Sequence, residues 1–184
     1  PYYAEAYQII GAVYERLGRN KEAAEMYERT VEINPQISEA VAGLTNIYFR
    51  LGDPGRVIKI YKDFLERYPN NPIFQENLAA VYVREGQIDL AIKIYEEMIA
   101  VNPKNVRALV NLGFMSAKLG NIAKAKDSFE RAILVDPKSV DAHNGLGLVY
   151  LQMGQKEKAK EEFNQSLMVD PNNQYAKQML EKIK

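Results

Sequence analysis

Residues 103–137 read PKNVRALVNLGFMSAKLGNIAKAKDSFERAILVDP, in which two apolar helical patterns are separated by Leu119-Gly120 and bounded by prolines. The same arrangement recurs every 34 residues along the chain. Prolines keep this interval at Pro35, Pro69, Pro103, Pro137 and Pro171, and glycines keep it at Gly18, Gly52, Gly86, Gly120 and Gly154. An unbroken period of this length predicts an array of structural repeats.

Three further rows share the period and indicate how each repeat folds. Aromatic residues stand at Tyr27, Tyr61, Tyr95, Phe129 and Phe163, large aliphatic ones at Ile10, Leu44, Leu78, Leu112 and Leu146, and small ones at Gly11, Thr45, Ala79, Gly113 and Gly147. Each repeat is predicted to form a helix A that ends at its glycine and a helix B that ends before its proline. The small row lets the two helices approach closely, and the aromatic row fills the seam between them.

The first repeat shows the predicted pattern of burial and helix ends. In its helix A the predicted core stripe, at helical spacing, is Ala6, Ile10, Val13, Tyr14 and Leu17. In the second and third repeats, Asp53-Pro54 and Asn71-Pro72 are each predicted to cap a helix and to place proline at its first position. A single helix pair cannot bury its apolar stripe, so neighbouring repeats are expected to stack.

Composition excludes several classes of function. The chain has 184 residues, with 24 Lys and Arg against 24 Asp and Glu, and a formal net charge of zero. Nucleic acid is therefore an unlikely partner, since phosphate binding needs a basic surplus. The apolar runs are far shorter than the roughly 20 residues of a membrane span, so direct membrane insertion is not expected. The absence of cysteine leaves the compartment open, with the cytoplasm slightly favoured and export requiring a signal upstream of Pro1.

No catalytic, cofactor or metal motif is present in the sequence. It contains no phosphate loop, calcium loop or His-Glu-x-x-His helix. His143 is the single histidine, and it is predicted to be a packed core residue because no second imidazole or thiol is available for a metal. The sequence therefore predicts a non-enzymatic protein without cofactors.

The periodic residues resemble the signature of the tetratricopeptide repeat (TPR) family. In the first repeat the matching residues are Tyr7, Ile10-Gly11, Tyr14, Ala23, Tyr27 and Pro35, and in the fourth they are Leu109, Leu112-Gly113, Ala125, Phe129 and Pro137. The resemblance implies an all-α fold, a right-handed α-solenoid of five helix-turn-helix repeats with a C-terminal capping helix. It also implies a concave groove lined by the A helices.

The predicted organisation is a single TPR domain over residues 1–184. The expected repeats are 4–37, 38–71, 72–105, 106–139 and 140–173, and the capping helix is 174–184. Pro1 falls on the proline row, so residues 1–3 are interpreted as the end of an upstream repeat.

A helical wheel places one set of A-helix residues toward the groove, Gly43 and Gly145 among them. Its apolar strip is Phe49, Val83, Val110, Phe114, Leu148 and Leu151. An exposed apolar strip favours a partner site, and the alternative is that curvature of the array buries these side chains. The asparagines Asn46, Asn77, Asn111 and Asn144 are predicted to orient a bound chain through their side-chain amides. The alternative interpretation is that they are ordinary polar residues of a helix surface.

A basic row, Arg16, Arg50, Arg84 and Lys118, could hold an acidic partner or could simply offset the dipole of helix A. Family members that bind the tails of heat-shock chaperones use a carboxylate clamp, and this sequence matches the clamp only at Asn46, Asn77 and Arg107. Binding of a chaperone tail is therefore disfavoured. The candidate partner-binding residues are Asn46, Phe49, Asn77, Val83, Arg84, Arg107, Val110, Asn111, Phe114, Lys118, Asn144, Leu148 and Leu151.

The predicted function is a scaffold or adaptor that binds a peptide or partner helix in the groove. The alternatives are a substrate-recruiting arm of a larger enzyme and a self-assembling scaffold, so self-association is also considered.

Overall fold

The fold is seen in a computed structural model, which describes residues 2–183 and, for Tyr2, the backbone alone. Over these residues it contains eleven α-helices and no strand. Their bounds are α1 Tyr2–Arg16, α2 Asn20–Ile33, α3 Ser38–Arg50, α4 Pro54–Arg67, α5 Pro72–Arg84, α6 Ile88–Val101, α7 Val106–Lys118, α8 Ile122–Val135, α9 Val140–Gln152, α10 Lys156–Val169 and α11 Gln174–Lys182. Pro1, which the sequence assigned to an upstream repeat, lies outside the described residues, and α1 already begins at Tyr2.

The odd-numbered helices from α1 to α9 end at the periodic glycines, as predicted. Each of these glycines has a left-handed backbone, with φ between 71° and 79°. In the fourth repeat the N–H of Asn121 donates to Ser116 O at 2.9 Å and that of Gly120 to Ala117 O at 3.0 Å, which is the Schellman arrangement. Glycine is required here because a side chain strains this conformation.

Short polar side chains begin many of the helices. The Asp53 carboxylate accepts from the N–H of Arg56, and the Asn71 amide oxygen accepts from the N–H of Ile73, each at 3.0 Å. Pro54 and Pro72 stand at the first helical positions. The two caps predicted from the sequence are therefore confirmed.

Buried aromatic rings join successive helices. The Phe129 ring on α8 is fully buried, and a Cβ added at Gly113 on α7 would lie 2.7 Å from it. Gly145 on α9 leaves even less room beside the same ring. Tyr27 is packed in the same way against Gly11 and Gly43. Each of these two rings thus connects its own repeat to the next, so Gly43 and Gly145 belong to the packed layer and not to the groove in which the sequence placed them.

The chain divides into two compact units, the first ending at Gln87 and the second beginning at Ile88. Unit 1 contains α1 to α5, and unit 2 contains α6 to α11. Within unit 1, α1 packs beside α3 and α3 beside α5, and within unit 2, α7 packs beside α9. Within each unit the even-numbered helices do not approach one another as closely. The odd-numbered helices, which correspond to helix A of each repeat and are called A-type helices below, therefore form the inner face of each unit.

The predicted core stripe of α1 is not buried. Ile10 is 42% exposed, Val13 50% and Leu17 66%. The corresponding residues of α3, Leu44 and Ile47, are fully buried, because α2 packs on that side of α3. No described helix covers α1 in the same way, so the expectation of burial was wrong for this helix.

Two tyrosines of unit 1 donate to carboxylates. The Tyr27 hydroxyl donates to Glu15 Oε2 at 2.8 Å and the Tyr48 hydroxyl to Glu28 Oε1 at 2.5 Å. Burial, and secondly the hydrogen bond to the carboxylate, raises the pKa of Tyr27 to about 12 and that of Tyr48 to about 12. In the folded state both hydroxyls therefore resist ionisation more than in the unfolded chain.

These pKa shifts predict a loss of stability in alkali. An unfolded tyrosine ionises near pH 10, so the stabilisation is complete below about pH 10 and is lost as the pH rises toward about 12. Chemical denaturation at increasing pH should show a falling free energy of unfolding for unit 1. In the variant Tyr27→Phe/Tyr48→Phe this fall should be shallower, and an equally steep fall would contradict the assignment.

Candidate functional site

The predicted apolar strip is only partly accessible. Val110 is 7% exposed, so its side chain belongs to the packed interior of unit 2. The other five members, Phe49, Val83, Phe114, Leu148 and Leu151, are half-buried. Burial, the alternative interpretation, therefore applies to Val110, whereas the side chains of the other five strip residues remain partly accessible to solvent.

In unit 1 several of the predicted binding residues contact one another or their own helix. The Arg84 guanidinium carbon lies 3.6 Å from the centroid of the Phe49 ring, a cation–π contact that covers this ring. The Asn77 side-chain amide donates to Ile73 O at 2.7 Å, one helical turn earlier. Asn46 is exposed. The inner face of unit 1 therefore has few unengaged groups to offer a ligand.

In unit 2 the structure brings three of the predicted residues together in a cleft of about 360 Å³. Its walls come from three A-type helices, α7, α9 and α11. The cleft is lined by Phe114, Asp141, Asn144, Leu148, Asn173 and Tyr175. We call this feature the unit-2 cleft.

The apolar walls of the cleft are held by the core beneath them. The Phe114 ring meets the buried Phe129 edge-on, with ring centroids 5.0 Å apart. The Tyr175 ring meets Phe163 in the same manner at 6.3 Å, and burial raises the pKa of the Tyr175 hydroxyl. Since both rings are braced in this way, they present fixed apolar surfaces to a ligand.

Two polar side chains of the cleft lack a hydrogen-bond or ion-pair partner among the described residues. Asn144 is 7% exposed, and its Oδ1 has no hydrogen-bond partner among the described residues. Asp141 is exposed and forms no ion pair within the described chain. Asn173 Oδ1 accepts from the N–H of Ala176 at 2.9 Å, which fixes the amide at the start of α11. The cleft therefore combines apolar walls with an uncompensated carboxylate and a carboxamide.

The remaining predicted residues of unit 2 do not line this cleft. Asn111 and Leu151 are half-buried, and Arg107 and Lys118 are exposed. Sequence reasoning missed Asn173, which it placed at the end of the fifth repeat, and Tyr175, which it assigned to the capping helix. The signal that could have found Tyr175 is its register: it lies 34 residues after Asp141, at a position that faces inward in the preceding repeat.

A second cleft, of about 160 Å³, lies on the outer side of unit 1 between α2 and α4. Its lining carries charges of both signs, and some of them pair, such as Arg56 with Glu28 at 3.5 Å. Such a mixture is typical of a solvated helix surface. Its lining residues, all of them described, include no buried side-chain polar atom that lacks a hydrogen-bond partner.

His143 is 6% exposed and is packed as predicted. Its Nδ1 lies 2.7 Å from Glu162 Oε2, and its Nε2 lies 3.0 Å from Pro137 O. The Nδ1 contact joins the start of α9 to α10, and the Nε2 contact joins it to the loop that precedes α9. Within residues 2–183 no cluster of histidine and acidic side chains is arranged to hold a metal ion.

None of the described helices combines the length and apolar character needed to cross a bilayer.

Family models of the tetratricopeptide repeat match residues 4–37, 42–106, 78–144 and 116–183. The chain is a tetratricopeptide repeat protein. The all-α class and the helical-repeat architecture expected for a TPR protein are thereby confirmed. A search among curated protein sequences finds no match for this TPR protein.

Solved TPR structures share the fold. The structure of TTC0263, a thermophilic TPR protein in Thermus thermophilus, is 22% identical with a TM-score of 0.69, and the match covers 98% of each chain. YrrB, described as a TPR protein with an unusual peptide-binding site, is 20% identical with a TM-score of 0.67, over 95% of this chain and 90% of YrrB. MamA from Desulfovibrio magneticus RS-1 is 22% identical with a TM-score of 0.69, over 94% and 97%.

Proposed function

We propose that this TPR protein is a non-enzymatic scaffold or adaptor that holds a segment of a partner protein in the unit-2 cleft. TPR membership supports the general role of protein interaction. The observation that carries the specific proposal is the cleft itself, in which the exposed Asp141 carboxylate has no ion-pair partner among the described residues and stands beside the braced rings of Phe114 and Tyr175. A charge without a partner inside the protein is available to an opposite charge on a ligand.

The lining predicts the chemistry of the bound segment. Phe114, Leu148 and Tyr175 offer apolar surface, which suits an aliphatic or aromatic side chain. The Asp141 carboxylate has no basic partner, so it favours a lysine or arginine on the ligand. Asn144 also lines the cleft, and a carboxamide can bond to a peptide backbone. We therefore expect an extended peptide that carries a basic residue next to an apolar one.

Unit 1 is assigned a smaller part in binding. Arg84 already covers Phe49, and Asn77 already bonds to its own helix. A ligand would have to displace these contacts before it gained new ones. YrrB, a TPR protein with an unusual peptide-binding site, shares this fold, which is consistent with a peptide ligand here.

The test uses a displayed library of random short peptides, selected on the wild-type protein. The selected sequences should be enriched in a basic residue beside an apolar one. The variant Asp141→Lys should weaken the affinity of a selected peptide about tenfold or more, as reversal of a contacting charge costs on the order of 1–2 kcal/mol. Isothermal titration calorimetry measures the change.

The matched control is Asp89→Lys, the same charge reversal at the second residue of α6, which is exposed, forms no ion pair within the described chain and does not line the cleft. It should change the affinity by less than about twofold. Selection of peptides without basic residues, or equal effects of the two variants, would overturn the proposed site. Circular dichroism confirms that both variants keep their helices.

A further inference from the structure

The lining of the unit-2 cleft has the composition of a site for a weakly hydrated cation. Two of its six residues are aromatic, Phe114 and Tyr175, one is the carboxylate Asp141, and none is basic. The face of an aromatic ring attracts a cation, and the attraction grows when the cation is desolvated. At about 360 Å³ the cleft is near the lower end of the volumes of ligand sites, so it can enclose the end of one side chain.

Both rings of the cleft are accessible and held in place before a ligand arrives. Tyr175 is 40% exposed, and Phe114 is half-buried. Behind them lie the fully buried rings of Phe163 and Phe129, each in an edge-on contact. Because neither cleft ring has to leave the core to meet a ligand, binding loses little conformational entropy on the protein side.

The side-chain acceptors of the cleft are few. Asn173 Oδ1 already accepts from the N–H of Ala176, and Asn144 Oδ1 is buried. This leaves the Asp141 carboxylate and the Tyr175 hydroxyl. An arginine carries five N–H donors, and those that found no acceptor beside the apolar walls would lose their hydrogen bonds to water. An ammonium carries three, and each methyl group on the nitrogen removes one of them and adds apolar surface.

We propose that the basic residue of the bound segment is a lysine methylated on its side-chain nitrogen, with the cation between the Phe114 and Tyr175 rings and beside the Asp141 carboxylate. This inference rests on the proposed function of the unit-2 cleft and specifies the ligand of that same site. Unmethylated lysine binds in the same place with lower affinity, because its ammonium is more strongly hydrated. Leu148 supplies apolar surface for the aliphatic stem of the lysine.

Four versions of one peptide from the display selection test the proposal. Its basic residue is lysine, trimethyllysine, arginine or the neutral analogue of trimethyllysine, in which carbon replaces the nitrogen. Isothermal titration calorimetry should show the tightest binding for the trimethyllysine peptide. We expect its affinity to exceed those of the lysine peptide and of the neutral analogue by about fivefold, as a cation–π contact in a partly desolvated site predicts.

The possible outcomes separate this inference from the proposed function. Equal affinities for trimethyllysine and its neutral analogue would show that the rings bind apolar surface alone, which overturns the cation site and leaves the peptide cleft in place. Tightest binding of the arginine peptide would overturn it as well. If Asp141→Lys left the affinities of all four peptides unchanged, the proposed peptide site would be wrong, and this inference with it.

The variant Tyr175→Leu tests the ring separately from the apolar character of the cleft. Leucine remains apolar but has no π face, so the preference for trimethyllysine over the neutral analogue should fall from about fivefold to about twofold. A ratio of two affinities measured on one variant is not changed by a general loss of stability. The matched control Tyr68→Leu alters a tyrosine that is 45% exposed in unit 1, and it should keep the full preference. An undiminished preference in Tyr175→Leu would contradict the role of this ring.

Discussion

Replacing Phe129 by alanine will lower the free energy of unfolding of unit 2 by about 3–5 kcal/mol. The ring is fully buried and packs between the close backbone approaches at Gly113 and Gly145. It also supports Phe114 from below. Its removal leaves a cavity among α7, α8 and α9, and these helices have no larger side chain at either glycine with which to fill it.

Chemical denaturation together with native-state hydrogen exchange measures this loss, since repeat arrays need not unfold in one step. Amides of α7 to α9 should lose protection. The control Leu134→Ala removes a side chain of the same helix that is 82% exposed, and it should change stability by less than about 0.5 kcal/mol. A loss at Phe129 no larger than that of the control would show that its ring does not join the repeats.

Gly145→Ala should destabilise the same unit by about 1–3 kcal/mol or more, although alanine is normally the better helix residue. A methyl group at this position would overlap the buried Phe129 ring. The ring is fully buried and also packs closely against Gly113, so we expect α8 and α9 to separate. The matched control is Gly55→Ala, where the nearest atom to the new Cβ lies 3.6 Å away. That variant should be neutral or more stable by up to about 1 kcal/mol.

A double-mutant cycle identifies the overlap as the cause. The smaller side chain in Phe129→Leu makes room for the methyl group, so the combined variant should cost less than the sum of the two single changes. Strict additivity would mean that Gly145→Ala acts through something other than the ring. Thermal and chemical denaturation of the four proteins give the coupling free energy.

Much of the fold could be predicted because local signals agree with the period. Gly120 needs a left-handed backbone, and Asp53 and Asn71 cap helices wherever the fold places those helices. A helical wheel treats each helix alone, and there it failed. It placed Gly145 in the groove because it took account of one buried stripe, whereas α9 packs against helices on more than one side.

The cleft was predicted only in part, because the helical wheel treats each helix alone. Phe114, Asn144 and Leu148 lie where the wheel places inward residues. Val110 is buried, since A-type helices also pack on each other. Tyr175 was missed because the last helix was interpreted only as a cover for the repeat before it. Exposure of Ile10 and Val13 was not foreseen either, because periodicity assigns a residue to a face without telling whether a neighbour is present.

The arrangement of α9 separates two tasks within one helix. Gly145, Leu146, Gly147 and Val149 are buried against neighbouring helices, whereas Asp141 and Leu148 keep surface toward the cleft. Substitutions at the second pair are therefore expected to alter the ligand preference proposed for the unit-2 cleft while the backbone keeps its path. Redesign of that proposed preference would exchange a few inward residues, with no compensating changes in the interior.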